Sequence, residues 1–342
     1  MASPAASHVK TLFVDEFHDC YTGHPDRAVV WQIFAGRTSC MKIQRAFCSG
    51  THPPHLHEIF CEKAALDINA NVIRTSTDRP ELGYHVLTVN SRKSQIPVWE
   101  SLKRLVFHLK TCSLKTDERI VVFFQDEANA DCFAAQMHCS KYHSKLPLQG
   151  KSKGYYFDLW ATGEQVIMAA STAFQQGVDY PWVTFVIYYR SAYGLIDFNQ
   201  GAGRGGRRGR FSYAIVLRDE GDHLTCKWSR MGMVQDTHCE LAFLQLAIDD
   251  KSCKRYLMSR TMDGEELART CKTVAGSNHC GICDPNSAVS KLFRQVLNTP
   301  LPPATLCASP ITSAHIENDS DEEYGSMEFT PEMAQAMDDA IC

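Results

Sequence analysis

RIVVFFQDEANADCFAAQMHC (residues 119–139) joins a short apolar run to a segment of helical periodicity. The run RIVVFF (119–124) is rich in Val, Ile and Phe and reads as a buried parallel strand, while EANADCFAAQMHC (127–139) reads as an amphipathic helix. The same unit recurs in both directions along the chain. TLFVDE (11–16), RAFCSGT (45–51), EQVIMAA (164–170) and VTFVIYY (183–189) read as further buried strands. PPHLHEIFCEKAAL (53–66) and VWESLKRLVFHLKTC (98–112) read as helices between them. Such alternation implies an α/β fold with a parallel sheet and right-handed crossovers, and it directs attention to polar residues just after each strand. Beyond about residue 220, helical patterns such as HCELAFLQLAIDD (238–250) replace the strands.

The 342 residues imply two or three compact units, and 44% hydrophobic with 22% charged residues allows sizeable cores. No run of 18 apolar residues argues for a membrane span, and the start MASPAASHVK lacks the apolar stretch of a secretory signal. An intracellular protein is expected. Its 15 cysteines should then be reduced thiols, most of them core residues, with a late cluster available for metal. The net charge of −4 conceals an asymmetry: residues 295–342 hold nine acidic side chains and no Lys or Arg. Without those nine charges the remainder carries +5, which permits nucleic-acid binding. NTPLPPATLCASP (298–310) reads as a proline-rich linker and the acidic tail beyond it as disordered, with FTPEMAQAMDDAI (329–341) able to form a short helix. Ser320, inside NDSDEE, sits in an acidic setting that suits an acidophilic kinase. The tail either recruits a protein partner or only solubilises the chain.

Two stretches carry chemistry. TLFV runs into Asp15-Glu16-Phe17-His18. An Asp-Glu pair at the carboxyl end of a strand can hold Mg²⁺ through water and orient the water that attacks a nucleoside triphosphate, although a solvated turn explains the tetrad alone equally well. In FNQGAGRGGRRG (198–209), Gln200, Gly203, Arg204, Gly206 and Arg207 have the spacing Q-x-x-G-R-x-G-R. Glycines let the backbone approach a neighbour, and Arg204 and Arg207 can meet phosphate oxygens bidentately. The alternative is a flexible Arg/Gly stretch that binds RNA or DNA without specificity.

In this order the two stretches resemble motifs II and VI of superfamily 2 helicases, and the residues between them are similar to the RecQ family. Ser49-Gly50-Thr51 resembles motif III, VIRTSTDRPELGYHV (72–86) resembles the family's S-x-x-R-P-N-L-x-Y segment, and residues 119–134 resemble motif IV. KYHSKL (141–146) resembles Y-H-A-x-L. AASTAFQQGVDYPWVTFVIYY (169–189) resembles motif V, A-T-x-A-F-G-M-G-I-D-x-P-x-V-R-x-V-I-H. The resemblance covers roughly residues 11–285. It implies an ATP-driven 3′-to-5′ DNA helicase, nuclear, with a RecA-like sheet. Asp15 and Glu16 would handle Mg²⁺ and water, with His18 beside them in the catalytic set, and Gln200, Arg204 and Arg207 would act on the γ-phosphate of ATP. Gly177 and Asp179 would also bind ATP, Ser49 and Thr51 would couple hydrolysis to movement, and Arg79 and Thr172 would hold the DNA backbone.

The same resemblance divides the chain into a remnant of a first motor lobe (1–80), a second lobe (81–219), a helical zinc subdomain (220–295) and the acidic tail (296–342). Cys253 in SCKRYLMSRTMDGEE (252–266) resembles the family's entry to that subdomain, C-R-R-x-x-L…F-G-E. Cys271, Cys280 and Cys283 would complete a four-thiolate Zn²⁺ site. The intervening spacings are 17, 8 and 2, whereas the family more often closes with two consecutive C-x-x-C steps. Cys226, Cys239 and His279 are therefore substitutes for Cys271.

Several features depart from the family. Gly150-Lys151-Ser152 looks like the end of a phosphate loop, but the glycine that loop needs five residues earlier is Lys145, and a loop before a helix is the better reading. Ten residues precede TLFV, too few for the family's nucleotide-gripping motifs. The chain is accordingly expected to be a piece of a longer product, a motor that has lost its activity, or a non-enzymatic nucleic-acid-binding or interaction module. DCYTGHPDRAVVW (19–31) replaces the aromatic loop that senses single strands, with Trp31 a survivor of its far end. Gln175, Ser171, Gly201 and Arg208 stand where the family has Gly, Thr, Glu and Asp, which together imply relaxed constraint.

Overall fold

Residues 10–18, 43–175, 178–222 and 237–298 are described by a computed structural model. Gly177, Trp31, Cys226 and the acidic tail with Ser320 and 329–341 lie outside the described residues. Among the described residues eight strands form two parallel sheets. β1 (Thr11–Val14) pairs with β2 (Gln44–Phe47), Thr11 opposite Gln44 and Val14 opposite Phe47. A 3-10 turn at Pro54–Leu56 then leads into α1 (His57–Lys63).

The larger sheet begins with β3 (Leu82–Val89), followed by α2 (Val98–Cys112), β4 (Arg119–Phe123), α3 (Glu127–Met137) and β5 (Ser140–Tyr142). It continues with α4 (Lys153–Thr162), β6 (Ile167–Ala170), β7 (Val183–Tyr189), α5 (Leu195–Ala202) and β8 (Ser212–Asp219). The strand order is β3-β8-β7-β4-β6-β5, every neighbouring pair parallel. Helices α6 (Thr237–Ile248), α7 (Lys254–Asp263) and α8 (Ala288–Asn298) follow. This is the α/β architecture that the alternation of strands and helices implied. No helix among the described residues is long and apolar enough to cross a membrane.

The sheet is covered on both faces because successive strand residues point to opposite sides. In β4, Val121 and Phe123 face a core containing Trp160, Phe174, Tyr188 and Phe198. Ile120, Val122 and Phe124 face the other, with Leu102, Leu105, Leu109 and Phe133. Each such fully buried side chain contributes about 1.5–3 kcal/mol relative to exposure. The helices begin at polar caps: Asp126 accepts from Asn129 N at 2.7 Å to start α3, and Ser152 accepts from Tyr155 N at 3.3 Å to start α4. Gly150-Lys151-Ser152 is thus the entry to a helix.

Three strands of this sheet escape the sequence reading. LGYHVLTV (82–89) lies in what reads as a connecting segment, SKY (140–142) is too short for periodicity, and SYAIVLRD (212–219) follows the Arg/Gly stretch. EQVIMAA is shorter than expected, because its first three residues are spent in the turn after α4.

The segment before β3 is clamped by α7. Arg255, fully buried, pairs with Asp78 and donates to the carbonyls of Arg79 (3.0 Å), Leu82 (2.6 Å) and Asn278 (3.1 Å). Asp263, at the other end of α7, accepts from Thr77 N at 2.9 Å and Ser76 Oγ at 3.0 Å. These bonds tie residues 76–82 and Asn278 to α7.

Candidate active-site cleft and thiol cluster

At the end of β1 the chain turns sharply. Glu16 adopts a left-handed conformation (φ 52°), and its N–H donates to Asp15 Oδ1 at 2.9 Å. The turn is anchored by Phe17, buried against Phe60 with ring centroids 4.0 Å apart. Anchoring Phe17 drives His18 inward. Its Nδ1 lies 2.9 Å from Ser49 Oγ and 3.2 Å from Glu16 Oε2, while its Nε2 meets the side-chain amide of Gln200. That amide donates to Nε2, so Nδ1 carries the ring proton toward Ser49 and Glu16. Gln200 Nε2 also donates to Thr51 Oγ1 at 3.0 Å, and Ser49 Oγ accepts from Thr51 N at 3.0 Å. One network therefore ties the DEFH turn, the Ser49–Thr51 segment and α5 together. The hydrogen bond from His18 holds the Glu16 carboxyl below the usual carboxylate range, with charge from Arg204 adding to it against the opposing effect of burial.

Glu16, Ser49, Thr51, Gln200, Arg204 and Arg207 line one cleft of about 1080 Å³. Arg204 Nη1 donates to the carbonyl of Val178 at 2.7 Å and Nη2 to that of Gln175, and Arg207 pairs with Asp179. Burial, then the neighbouring Arg207, lowers the pKa of Arg204. The glycines of this stretch serve packing: Gly206 is left-handed (φ 66°), and a Cβ there would stand 2.7 Å from Glu81 Cγ.

Two departures from the RecQ pattern, Gln175 and Gly201, meet in space. Gln175 Nε2 donates to Tyr188 Oη at 3.0 Å and to Asp197 Oδ1 at 2.8 Å, and Tyr188 Oη donates to the Asp197 carbonyl at 2.9 Å. A Cβ at Gly201 would lie 1.9 Å from Tyr188 Oη. Tyr188 itself stands where the RecQ motif V pattern ends in His. The three positions are thus mutually fitted: the phenol occupies the space above Gly201, and Gln175 satisfies its hydroxyl. Burial raises the Asp197 carboxyl to about 6.

The remaining expected residues are spread more widely. Asp15 is exposed and outside the cleft lining. Arg79 lines the cleft, with Nε donating to Glu81 Oε1 at 2.5 Å and Nη2 to the Gly205 carbonyl at 3.2 Å. Thr172 opens the 3-10 turn Thr172–Gln175, partly buried and away from the cleft lining.

Cys253, Cys271, Cys280 and Cys283 converge, their sulfurs all within 4.8 Å of one another. The Cys253–Cys271 separation is 3.6 Å and Cys253–Cys280 is 4.0 Å. A tetrahedron with metal–sulfur bonds of about 2.3 Å has edges of roughly 3.8 Å, so the thiols have a spacing that fits Zn²⁺. Cys271 N–H and Cys280 N–H donate at 3.3 Å to the sulfurs of Cys253 and Cys271, as backbone amides do around metal-bound thiolates. Of the substitutes for Cys271, Cys239 lies 4.0 Å from His55 Nε2 and His279 is exposed. Sequence reasoning passed over Arg255, Asp263, Tyr188 and Asp197.

Residues 98–209 match the helicase conserved C-terminal domain. Curated relatives include a putative ATP-dependent DNA helicase Q1 of Caenorhabditis briggsae, 23% identical over 229 residues, covering 64% of this chain and 34% of the relative. The ATP-dependent DNA helicase Q-like 4B of Arabidopsis thaliana is 22% identical over 248 residues, 61% of this chain and 20% of the relative. The chain thus spans about a third or less of these relatives' lengths. Among solved structures, S. cerevisiae Dbp5 bound to RNA and ADP BeF3 superposes with a TM-score of 0.51 at 16% identity, over 84% of this chain and 63% of that one. That likeness establishes the RecA-like parallel sheet. This chain accordingly contains a helicase conserved C-terminal domain and resembles the C-terminal portion of RecQ-family helicases.

Proposed function

We propose that the chain supplies the second-lobe half of a RecQ-like, ATP-driven 3′-to-5′ DNA helicase acting in the nucleus. The carrying observation is the cleft in which Gln200, Arg204 and Arg207 meet Glu16, Ser49 and Thr51 through the His18–Gln200–Thr51 network. Arg204 and Arg207 would bind the γ-phosphate and stabilise charge that develops as it leaves. Each must first exchange a present partner: Arg204 the carbonyls of Gln175 and Val178, Arg207 the carboxylate of Asp179. Asp15 and Glu16 would hold Mg²⁺, which supplies charge neutralisation on the phosphates. Glu16 is suited to this because it remains ionised. Gln200, bridging His18 and Thr51, would report the state of the cleft to the Ser49–Thr51 segment. Zn²⁺ would be held by Cys253, Cys271, Cys280 and Cys283, stabilising the helical region that clamps residues 76–82.

ATP hydrolysis should be measured with and without single-stranded DNA, for this chain alone and with a RecQ-type phosphate-loop lobe added in trans. DNA-stimulated turnover in the complemented sample, reduced at least a hundredfold by Arg207→Ala, is the expected result. A second reading, a non-catalytic nucleic-acid module, is favoured by the occupied donors of Arg204 and Arg207. Salt-sensitive DNA binding without turnover in either sample would establish that reading instead.

A further inference from the structure

Outside the cleft, at the amino-terminal ends of β4 and β7, an aromatic and cationic surface is assembled from three separate segments. Trp182, just before β7, carries the guanidinium of Arg210 at 3.8 Å from its ring centroid and that of Arg208 at 5.7 Å. Arg210 Nη1 is held by Asp117 Oδ2 at 2.8 Å, and the same residue's carbonyl accepts from Tyr180 Oη at 2.8 Å. Beside this stack runs an open groove of about 520 Å³ walled by Tyr180, Trp182, Asp117 and the exposed Lys115. None of its lining residues lines the cleft.

We propose that Trp182, Arg208 and Arg210, with Tyr180 and Lys115 along the groove, form a docking platform for single-stranded nucleic acid. Three observations carry this. First, the stack is rigid and flat: an indole capped by a guanidinium that a carboxylate holds in place offers a π-surface of the kind on which unpaired bases stack. Second, the groups exposed beside the ring are cationic. Arg208, Arg210 and Lys115 are exposed; Asp117 pairs with Arg210, and the carboxylates of Glu118 and Glu164 are bonded to Lys115 N and Thr162 Oγ1 at the groove's edges. Arg208 stands where the RecQ pattern has Asp, a reversal that adds positive charge beside the ring. Third, Arg208 takes a left-handed backbone (φ 62°, ψ 28°). That conformation is costly for a long side chain and comfortable for Asp, so the cationic residue is kept here against local preference. Arg119 contributes no free charge: its guanidinium is spent on the carbonyls of Trp160, Thr116, Glu118 and Ala161. Bases would stack on the platform while the three exposed cations track phosphates, a sequence-tolerant mode that demands unpaired strands.

The inference is independent of ATP chemistry in the cleft. Its test is the affinity of the full chain for a fluorescent oligo-dT of about 12 nucleotides across a salt series. Trp182→Ala should weaken binding roughly tenfold and Trp182→Phe far less, because the ring supplies stacking. Arg208→Asp keeps a residue content with the left-handed backbone, so the fold is preserved. It should weaken binding and lower the salt slope by about 0.7 for each phosphate that is no longer neutralised. The same variant should leave the ATP turnover of the complemented motor measured without DNA unchanged, so failure of that motor and failure of the platform read out separately. Absence of oligo-dT binding at low salt, affinity unaltered in both Trp182→Ala and Arg208→Asp, or equal affinity for a blunt duplex would each overturn the proposal.

Discussion

β4 and β1 are both short parallel strands, RIVVF and TLFV, yet their fates differ. Every residue of β4 is at most 3% exposed, whereas Phe13 in β1 is 73% exposed. The difference lies in the neighbours. β4 sits between β7 and β6 with helices on both faces, while β1 has β2 as its one strand partner among the described residues. Parallel strands are normally covered on both faces, and an isolated pair has little stability of its own. The β1–β2 layer packs on α1 through Phe17, Phe47 and Phe60, and the Gln200 amide of α5 reaches across to His18 and Thr51. A strand's composition states what it could bury; the surrounding layers decide whether it does.

Substitutions in the two sheets test that contrast. Phe123→Ala in β4, which removes a ring stacked 5.0 Å from Tyr188, should cost about 3–5 kcal/mol in urea unfolding. Arg255→Ala should cost a similar amount by leaving Asp78 buried and unpaired. It should also raise hydrogen exchange across residues 76–82, and protection there equal to the parent would refute the clamp.

A pH effect comes next. The folded-state pKa of Asp197, about 6, lies above its ordinary value. The carboxyl's contribution is therefore most favourable below about pH 4 and is lost as pH rises through 6, a change of the order of 2–3 kcal/mol. Asp197→Asn should remove that component, so the difference in stability between variant and parent should vary from pH 4 to 7. A constant difference would mean that Asp197 is not buried as described.

Gly201→Ala should cost about 1–3 kcal/mol through its contact with Tyr188 Oη, and Tyr188→Phe in the same chain should recover part of the loss. Additive effects in the double-mutant cycle would show that the two positions are not coupled. The smallest effect belongs to the other sheet: Phe13→Ser should change stability by no more than about 0.5 kcal/mol. A loss comparable to that at Phe123 would mean that β1 is covered in solution and would end the contrast between the sheets.

The α/β class was legible because β4 and β7, RIVVF and VTFVIYY, are built from β-branched and aromatic residues and their helices keep a clear period, as in VWESLKRLVFHLKTC. β3 and β8 were harder to see, since LGYHVLTV and SYAIVLRD mix polar residues into the run. His85 and Arg218 in these strands are nonetheless buried. In the cleft, Glu16 and Arg204 could be nominated from residue type and spacing. That His18 reaches Ser49 and Gln200 could not, because the contacts span 31 and 182 residues. The departures Gln175 and Gly201 read, together with Ser171 and Arg208, as relaxed constraint; packed around Tyr188 they are a compensated set.

The sequence by itself determined the strand–helix alternation, the Q-x-x-G-R-x-G-R and DEFH stretches, and the four cysteines at spacings 17, 8 and 2. Those are local properties, set by side-chain period and by chemistry that a few neighbouring residues express. The fold, and not the local sequence, places Cys271 beside both Cys253 and Cys280 across gaps of 17 and 8 residues, ties distant backbone to α7 through Arg255, and gathers Arg208 and Arg210 over Trp182. Each of these needs segments far apart in the chain to meet, and chain closure over such distances depends on how all the intervening layers pack.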